Sequence, residues 1–196
     1  MNRLTTLTVA FSSLILATGA AQAADFELTS RTLRQGAPIG PEYYWNNFGC
    51  SGGNVTADLA WRNAPPGTKS YAVTFYDKDA PTGSGFWHWV VYDIPATTTD
   101  LPGGANGGAL PAGPVEGNTD LGKPGFLGPC PPVGRRHDYV YTVYALKVER
   151  LPVERTSGPA LVGFFLWQNT LAKATLGVIA DPRHQRSAPS STGVPA

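Results

Sequence analysis

The sequence predicts a mainly β fold with a single late helix. Short runs rich in aromatic and β-branched residues recur along the chain, 23 glycines and 18 prolines punctuate them, and only one stretch repeats at helical spacing. The first run is Phe26 to Leu33. Leu59 to Arg62 and Lys69 to Tyr76 flank Asn63-Ala64-Pro65-Pro66-Gly67-Thr68, which reads as a tight turn because proline presets φ and glycine accepts positive φ. Phe86 to Ile94 follows as the next strand. Leu101 to Gly125 is a long glycine-rich connection of the kind that carries function. Tyr139 to Val148 is the last strand expected. The helix is placed at Val162 to Leu176, where Phe164, Trp167, Leu171 and Ala174 recur at helical spacing, with Gly177 as its stop and the aromatic stripe packed in the core.

Both ends read differently from the middle. Met1-Asn2-Arg3, an apolar run from Leu4 to Ala17 and the small-x-small triplet Ala21-Gln22-Ala23 make residues 1–23 a secretory signal peptide, so a periplasmic or secreted protein is expected. Residues 184–196 are rich in Ser, Pro and Thr and are expected to form a flexible tail, with His184 in solvent. Between them, residues 24–183 carry no internal repeat and no linker, and one domain is expected. No later run is long and apolar enough to span a bilayer.

Charge narrows the function. The full chain has 15 Lys and Arg against 14 Asp and Glu, and loss of Arg3 with the leader leaves the two signs equal. A balanced chain whose longest basic run is Arg135-Arg136 lacks the footprint of a nucleic-acid binder. Cys50 and Cys130 are the only cysteines, and export makes a disulfide between them the expectation.

Site chemistry concentrates in two stretches, Asp77-Lys78-Asp79-Ala80-Pro81 running into Phe86-Trp87-His88-Trp89, and Pro129-Cys130-Pro131-Pro132 running into His137-Asp138-Tyr139. Strict alternation along the first strand sets Phe86, His88, Val90 and Tyr92 on one face and Trp87, Trp89 and Val91 on the other. The same period sets His137 and Tyr139 together, with Asp138 opposite. Imidazole N–H and phenol O–H both donate to oxygen, which suits a phosphate or carboxylate, and Asp77 is the acid expected to orient a histidine. A plainer reading makes Asp77 and Asp79 turn-capping residues beside Ala80-Pro81.

These two motifs in this order resemble the phosphatidylethanolamine-binding proteins, and within them the bacterial Raf kinase inhibitor-like branch. Further agreement lies in Phe48-Gly49-Cys50-Ser51-Gly52-Gly53-Asn54, in Tyr141 to Leu146 and in Thr170 to Ala174, so the likeness runs from about Phe26 to Ala180. The resemblance implies an all-β-dominated fold with a large antiparallel sheet, a smaller second sheet and a C-terminal helix. It also implies a small-anion pocket formed by Asp77, His88, Pro131, His137 and Tyr139, with Asp79, Pro81 and Phe86 shaping the wall. Family members bind phosphorylated head groups, and some inhibit kinases or proteases by contact. Lys78 stands where the family usually has proline and Asp138 where it often has arginine; the first adds positive charge near the mouth and the second removes it from the opposite face. Gln168-Asn169 precede Thr170 where bacterial relatives commonly have a histidine.

Two enzyme readings compete. Gly49-Cys50-Ser51-Gly52-Gly53 fits the G-x-S-x-G pattern of hydrolases, but the strand and helix that such an elbow requires are not expected around Ser51. A zinc centre from Asp77, His88 and His137 lacks supporting ligand spacing. The expectation is therefore a non-catalytic exported protein without cofactor or metal. It would bind a small phosphorylated or carboxylate ligand, a lipid head group being one candidate, with no nucleic acid and no membrane span. The alternative is a protein-contact inhibitor of a protease or other partner in its compartment.

Overall fold

The structure, a computed structural model, describes residues 24–105 and 107–181. The leader, His184 and the tail lie outside the described residues. Among the described residues eleven strands and one α-helix, with one short 3-10 turn (Pro41–Tyr43) after β2, follow in the order β1 (Glu27–Thr29), β2 (Ala37–Pro38), β3 (Val55–Thr56), β4 (Leu59–Arg62), β5 (Ser70–Asp77), β6 (Phe86–Pro95), β7 (Asp100–Leu101), β8 (Gly104–Ala105), β9 (Val115–Glu116), β10 (His137–Leu146), α1 (Pro159–Asn169) and β11 (Thr170–Ala180). A six-stranded sheet runs β2-β11-β10-β5-β6-β9; β1-β4-β7 form a second sheet and β3-β8 a third. The large sheet is mixed and not wholly antiparallel, because the two-residue strand β2 joins β11 in parallel at its edge.

The long strands form where aromatic and β-branched residues fit a surface buried on both faces. On one face Tyr71, Phe75, Trp89 and Tyr141 of the large sheet pack with Phe126 and with Trp61 of β4 in the smaller sheet. Phe75 lies almost flat on Tyr141, with ring centroids 4.1 Å apart. On the other face Ala72, Val90, Tyr92 and Leu146 pack against Val162 and Leu166 of α1.

Three local expectations change. The helix ends at Asn169, not Leu176, and Gly177 lies inside β11 paired with Val140. Residues 170–180 satisfy a period of two as well, burying Ala174, Leu176, Val178 and Ala180, and the pairing of β11 with β10 along ten positions overrides the helical pattern. The Asn169 amide and Thr170 hydroxyl donate to the Phe165 and Leu166 carbonyls, closing the last turn. Nor is the aromatic stripe core: Phe164, Trp167 and Leu171 stand exposed, while Pro159, Val162 and Leu166 are the buried helical residues.

The third change is in β6. Phe75 pairs with Trp89 but Tyr76 with Trp87, so His88 is an extra residue in the ladder. This bulge breaks strict alternation. Trp89 and Val91 join the cluster containing Phe75, while Val90 and Tyr92 turn to the helix side with Trp87.

Candidate functional site: an Asp–His pair and a second histidine around one cavity

Adjacent strand ends bring the site together. Tyr139 of β10 pairs with Asp77 of β5, and Asp77 pairs with Phe86 of β6. His137, two residues before Tyr139, therefore lies diagonally across from Asp77 on the same face. Its Nδ1–H donates to Asp77 Oδ2 over 2.7 Å, with both side chains buried. The other carboxylate oxygen accepts the Asp79 N–H at 2.9 Å, so Asp77 both turns the chain and orients a histidine. That histidine is His137, on the neighbouring strand, and not His88.

His88 is held by backbone. Its Nδ1 lies 3.0 Å from the Leu127 carbonyl, and the Leu127 N–H donates to the His88 carbonyl at 3.0 Å. With Nδ1–H spent on Leu127, the neutral ring presents Nε2 as an acceptor. Phe75, Phe86 and Tyr139 surround the ring with centroids 5.8, 4.9 and 5.2 Å away. Burial pushes the His88 pKa down to about 4, against the opposing pull of the Asp77 charge and the Leu127 carbonyl.

Asp77, His88 and His137 line one cavity of about 310 Å³, with Pro81, Phe86 and Leu127 among its mostly apolar walls. Tyr139 is not a lining residue. It is 1% exposed and lies behind both imidazoles, with a buried hydroxyl lacking a partner within hydrogen-bond geometry, and burial raises its pKa far above the phenol range. Pro131 is likewise buried and outside the lining, which takes Cys130 and Pro132 from that turn. Asp79 points away from the cavity to accept the Asp138 N–H at 2.6 Å, and borders an adjoining groove with Arg135 and Arg136. Asp138 stands on the opposite side from His137, its carboxylate oxygens 3.8 Å from Lys78 Nζ and from Arg136 Nη2. The two family departures thus face one another.

Sequence reasoning missed Trp45, Phe48 and Leu127. Trp45 and Phe48 stack with centroids 5.1 Å apart and close one cavity wall. Their segment is tied to the second motif by a disulfide between Cys50 and Cys130 and by buried Asn54, which donates to the Phe126 carbonyl and accepts the Gly128 N–H at 2.7 Å. The backbone approach is close enough to require glycine: a Cβ on Gly128 would lie 2.2 Å from the Tyr43 carbonyl oxygen. The available signal was Phe48 to Asn54 itself, a motif with no titratable side chain except the bonded cysteine. Leu127 acts through its backbone and left no side-chain signal at all.

Ser51 is exposed in a loop, is not among the cavity's lining residues and is followed by strand β3, so no strand-elbow-helix surrounds it. Asp77 is engaged with His137, so Ser51, Asp77 and His88 do not form a relay. Among the described residues no group of three or more His, Cys, Asp or Glu is placed to hold a metal ion, and no helix is long and apolar enough to cross a membrane. A larger cleft of about 720 Å³ lies between α1 and the far face of the sheet, but contains no histidine.

The family model for phosphatidylethanolamine-binding protein matches residues 29–180. The chain is 48% identical over 163 residues to the UPF0098 protein YbcL of Escherichia coli, covering 81% of this chain and 89% of that one. It is 45% identical over 152 residues to the Escherichia coli UPF0098 protein YbhB, covering 76% and 96%. The crystal structure of Escherichia coli YbcL, described as a new member of the mammalian PEBP family, superposes with a TM-score of 0.77 at 46% identity, covering 81% of this chain and 99% of that one. A homologue from Chlamydia trachomatis, CT736, matches with a TM-score of 0.68 at 26% identity over 80% and 97%.

Proposed function

Because the chain belongs to the phosphatidylethanolamine-binding protein family, we propose that it is a non-catalytic, exported binding protein that holds a small anionic or phosphorylated ligand in the cavity between His88 and His137. The reading rests on one observation: Asp77, His88 and His137 come from the ends of three adjacent strands and line the same cavity. Its polar groups are few and convergent on apolar walls, the usual design of a small-molecule site.

The two histidines take different parts. His137 is anchored through Nδ1 on Asp77, so its Nε2 faces a ligand and donates when the ring is protonated. His88 stays neutral near pH 7 and accepts, so it suits a ligand hydroxyl, ammonium or protonated phosphate oxygen. Arg135 and Arg136 in the adjoining groove can attract the anion without entering the cavity. The disulfide supports an oxidising compartment and hence export.

Native mass spectrometry before and after mild denaturation tests the reading. A retained phosphorylated small molecule is the expected result, and loss of inorganic phosphate binding on combined H88A and H137A with an unchanged β spectrum would follow. A protein that binds phosphate equally well without both imidazoles overturns it. Phe48 and Val133, 74% and 89% exposed beside the cavity, favour a second reading in which a partner protein seats on this rim. A stoichiometric co-purifying protein in the same spectrum would mark that outcome.

A further inference from the structure

Helix α1 has the sequence PALVGFFLWQN, without one charged residue. A helix apolar on all sides is normally buried on all sides. Here only one side is: Val162 and Leu166 face the sheet at 0% and 1% exposure, while Leu161, Phe164 and Trp167 point outward at 49%, 48% and 76%. Leu171, 43% exposed, extends the outward stripe into β11. Of the six most exposed large apolar side chains among the described residues, these are four. Phe164 and Trp167 already touch, their centroids 6.1 Å apart, so the surface is contiguous.

Charge selects the occupant. Lys147 borders Trp167 on one side and Lys173 on the other. Both lysines are exposed, and neither makes an ion pair among the described residues. Asp120, the one acid among the described residues that line the adjoining cleft, already accepts the Trp87 N–H at 2.7 Å. A second copy laid on this face about a two-fold axis would bring lysines against lysines, whereas an anionic layer with an apolar interior would satisfy both the ammonium groups and the rings.

We propose that the outer face of α1, with Leu171, Lys147 and Lys173, docks the protein on an anionic lipid bilayer, with Phe164 and Trp167 seated at the headgroup boundary. Exposed aromatic and leucine side chains flanked by lysines are what an interfacial helix presents. The face belongs to the helix side of the sheet, away from the His88 and His137 cavity, so docking leaves that cavity free. It stands independently of what the cavity binds.

The test is co-sedimentation of the protein, in the form recovered from its host, with vesicles of equal parts phosphatidylglycerol and phosphatidylcholine and with vesicles of phosphatidylcholine alone. The expected result is binding to the anionic vesicles that weakens with salt and quenching of tryptophan emission by brominated acyl chains. F164S combined with W167S should weaken binding by about tenfold or more. K147Q and K173Q should each cost about fivefold and together remove the salt dependence. The N-terminal apolar segment, if retained, is common to parent and variants, so the differences report this face. Should the aromatic pair of substitutions disturb folding by circular dichroism, the exposed lysine variants carry the test. No binding by the parent, binding unaltered in the variants, or a solution dimer that dissociates on F164S and W167S would each overturn the proposal, the last by assigning the face to a second copy.

Discussion

Lowering the pH from about 7 to about 4 should remove about 3 kcal/mol of stability through His88 alone. In the unfolded chain this imidazole titrates at its ordinary value of 6.5, whereas burial in the fold holds it at about 4. Between those values the unfolded state carries a proton that the folded state refuses. Stability is therefore fully present above about pH 6.5 and falls at up to about 1.4 kcal/mol per pH unit until the folded ring titrates, below which this contribution is spent. The interval of about 2.5 pH units gives about 3 kcal/mol, a sizeable part of a small domain's stability. Urea unfolding of the parent and of His88→Gln at several pH values between about 7 and 4 measures it, since glutamine keeps an N–H donor for the Leu127 carbonyl but does not titrate in this range. Asp93, pushed up by burial, acts with the opposite sign over an overlapping interval, but it is present in both proteins and cancels in their difference. Asp58 titrates lower: burial is outweighed by hydrogen bonds from Arg31, Thr32 and Ser30, which bring it to about 2. Parent and variant curves that run parallel between about pH 6.5 and 4 would refute the assignment of a buried, neutral imidazole to His88.

His137→Ala should weaken inorganic phosphate binding by roughly tenfold or more in calorimetry, because it removes the ring that Asp77 orients at the cavity; unaltered affinity would count against it. Asp77→Asn should weaken phosphate binding by roughly tenfold or more while leaving the fold intact, since it removes the carboxylate that fixes the His137 ring; unaltered affinity would show that the pair does not hold the ligand. Reduction of the Cys50–Cys130 bond, which closes a sequence separation of 80, should lower urea stability by about 4–5 kcal/mol in the chain-entropy limit, and a loss under about 1 kcal/mol would mean that Asn54 and the close backbone packing suffice. Phe75→Ala should cost about 3–5 kcal/mol, because that ring touches His88, Phe126, Tyr139 and Tyr141 at the centre of the larger cluster; calorimetric or urea unfolding reads it.

The β-rich class, the strand Leu59–Arg62 to the residue, the family and the two stretches that meet around the cavity were legible in the linear chain. Those features are local: alternation, turn chemistry and the order of rare residues survive in a linear string. It also singled out the cysteine pair, since two cysteines allow one bond. How neighbours share that space is settled only on folding. The diagonal pairing of β5 with β10 assigned Asp77 to His137, and an extra residue opposite Phe75 and Tyr76 turned His88 and Trp89 to one side. Tyr139 shares a face with His137 in a strand written out flat, and packing then sets its ring beside both imidazoles, next to the residues that line the cavity. Residues 170–176 fit both the helical spacing and an alternation of two, and the ladder formed with β10 after Asn169 chose between them. That choice bent the chain at Thr170 and left Phe164 and Trp167 facing outward, because which apolar face is buried depends on what lies across from it and not on its own spacing.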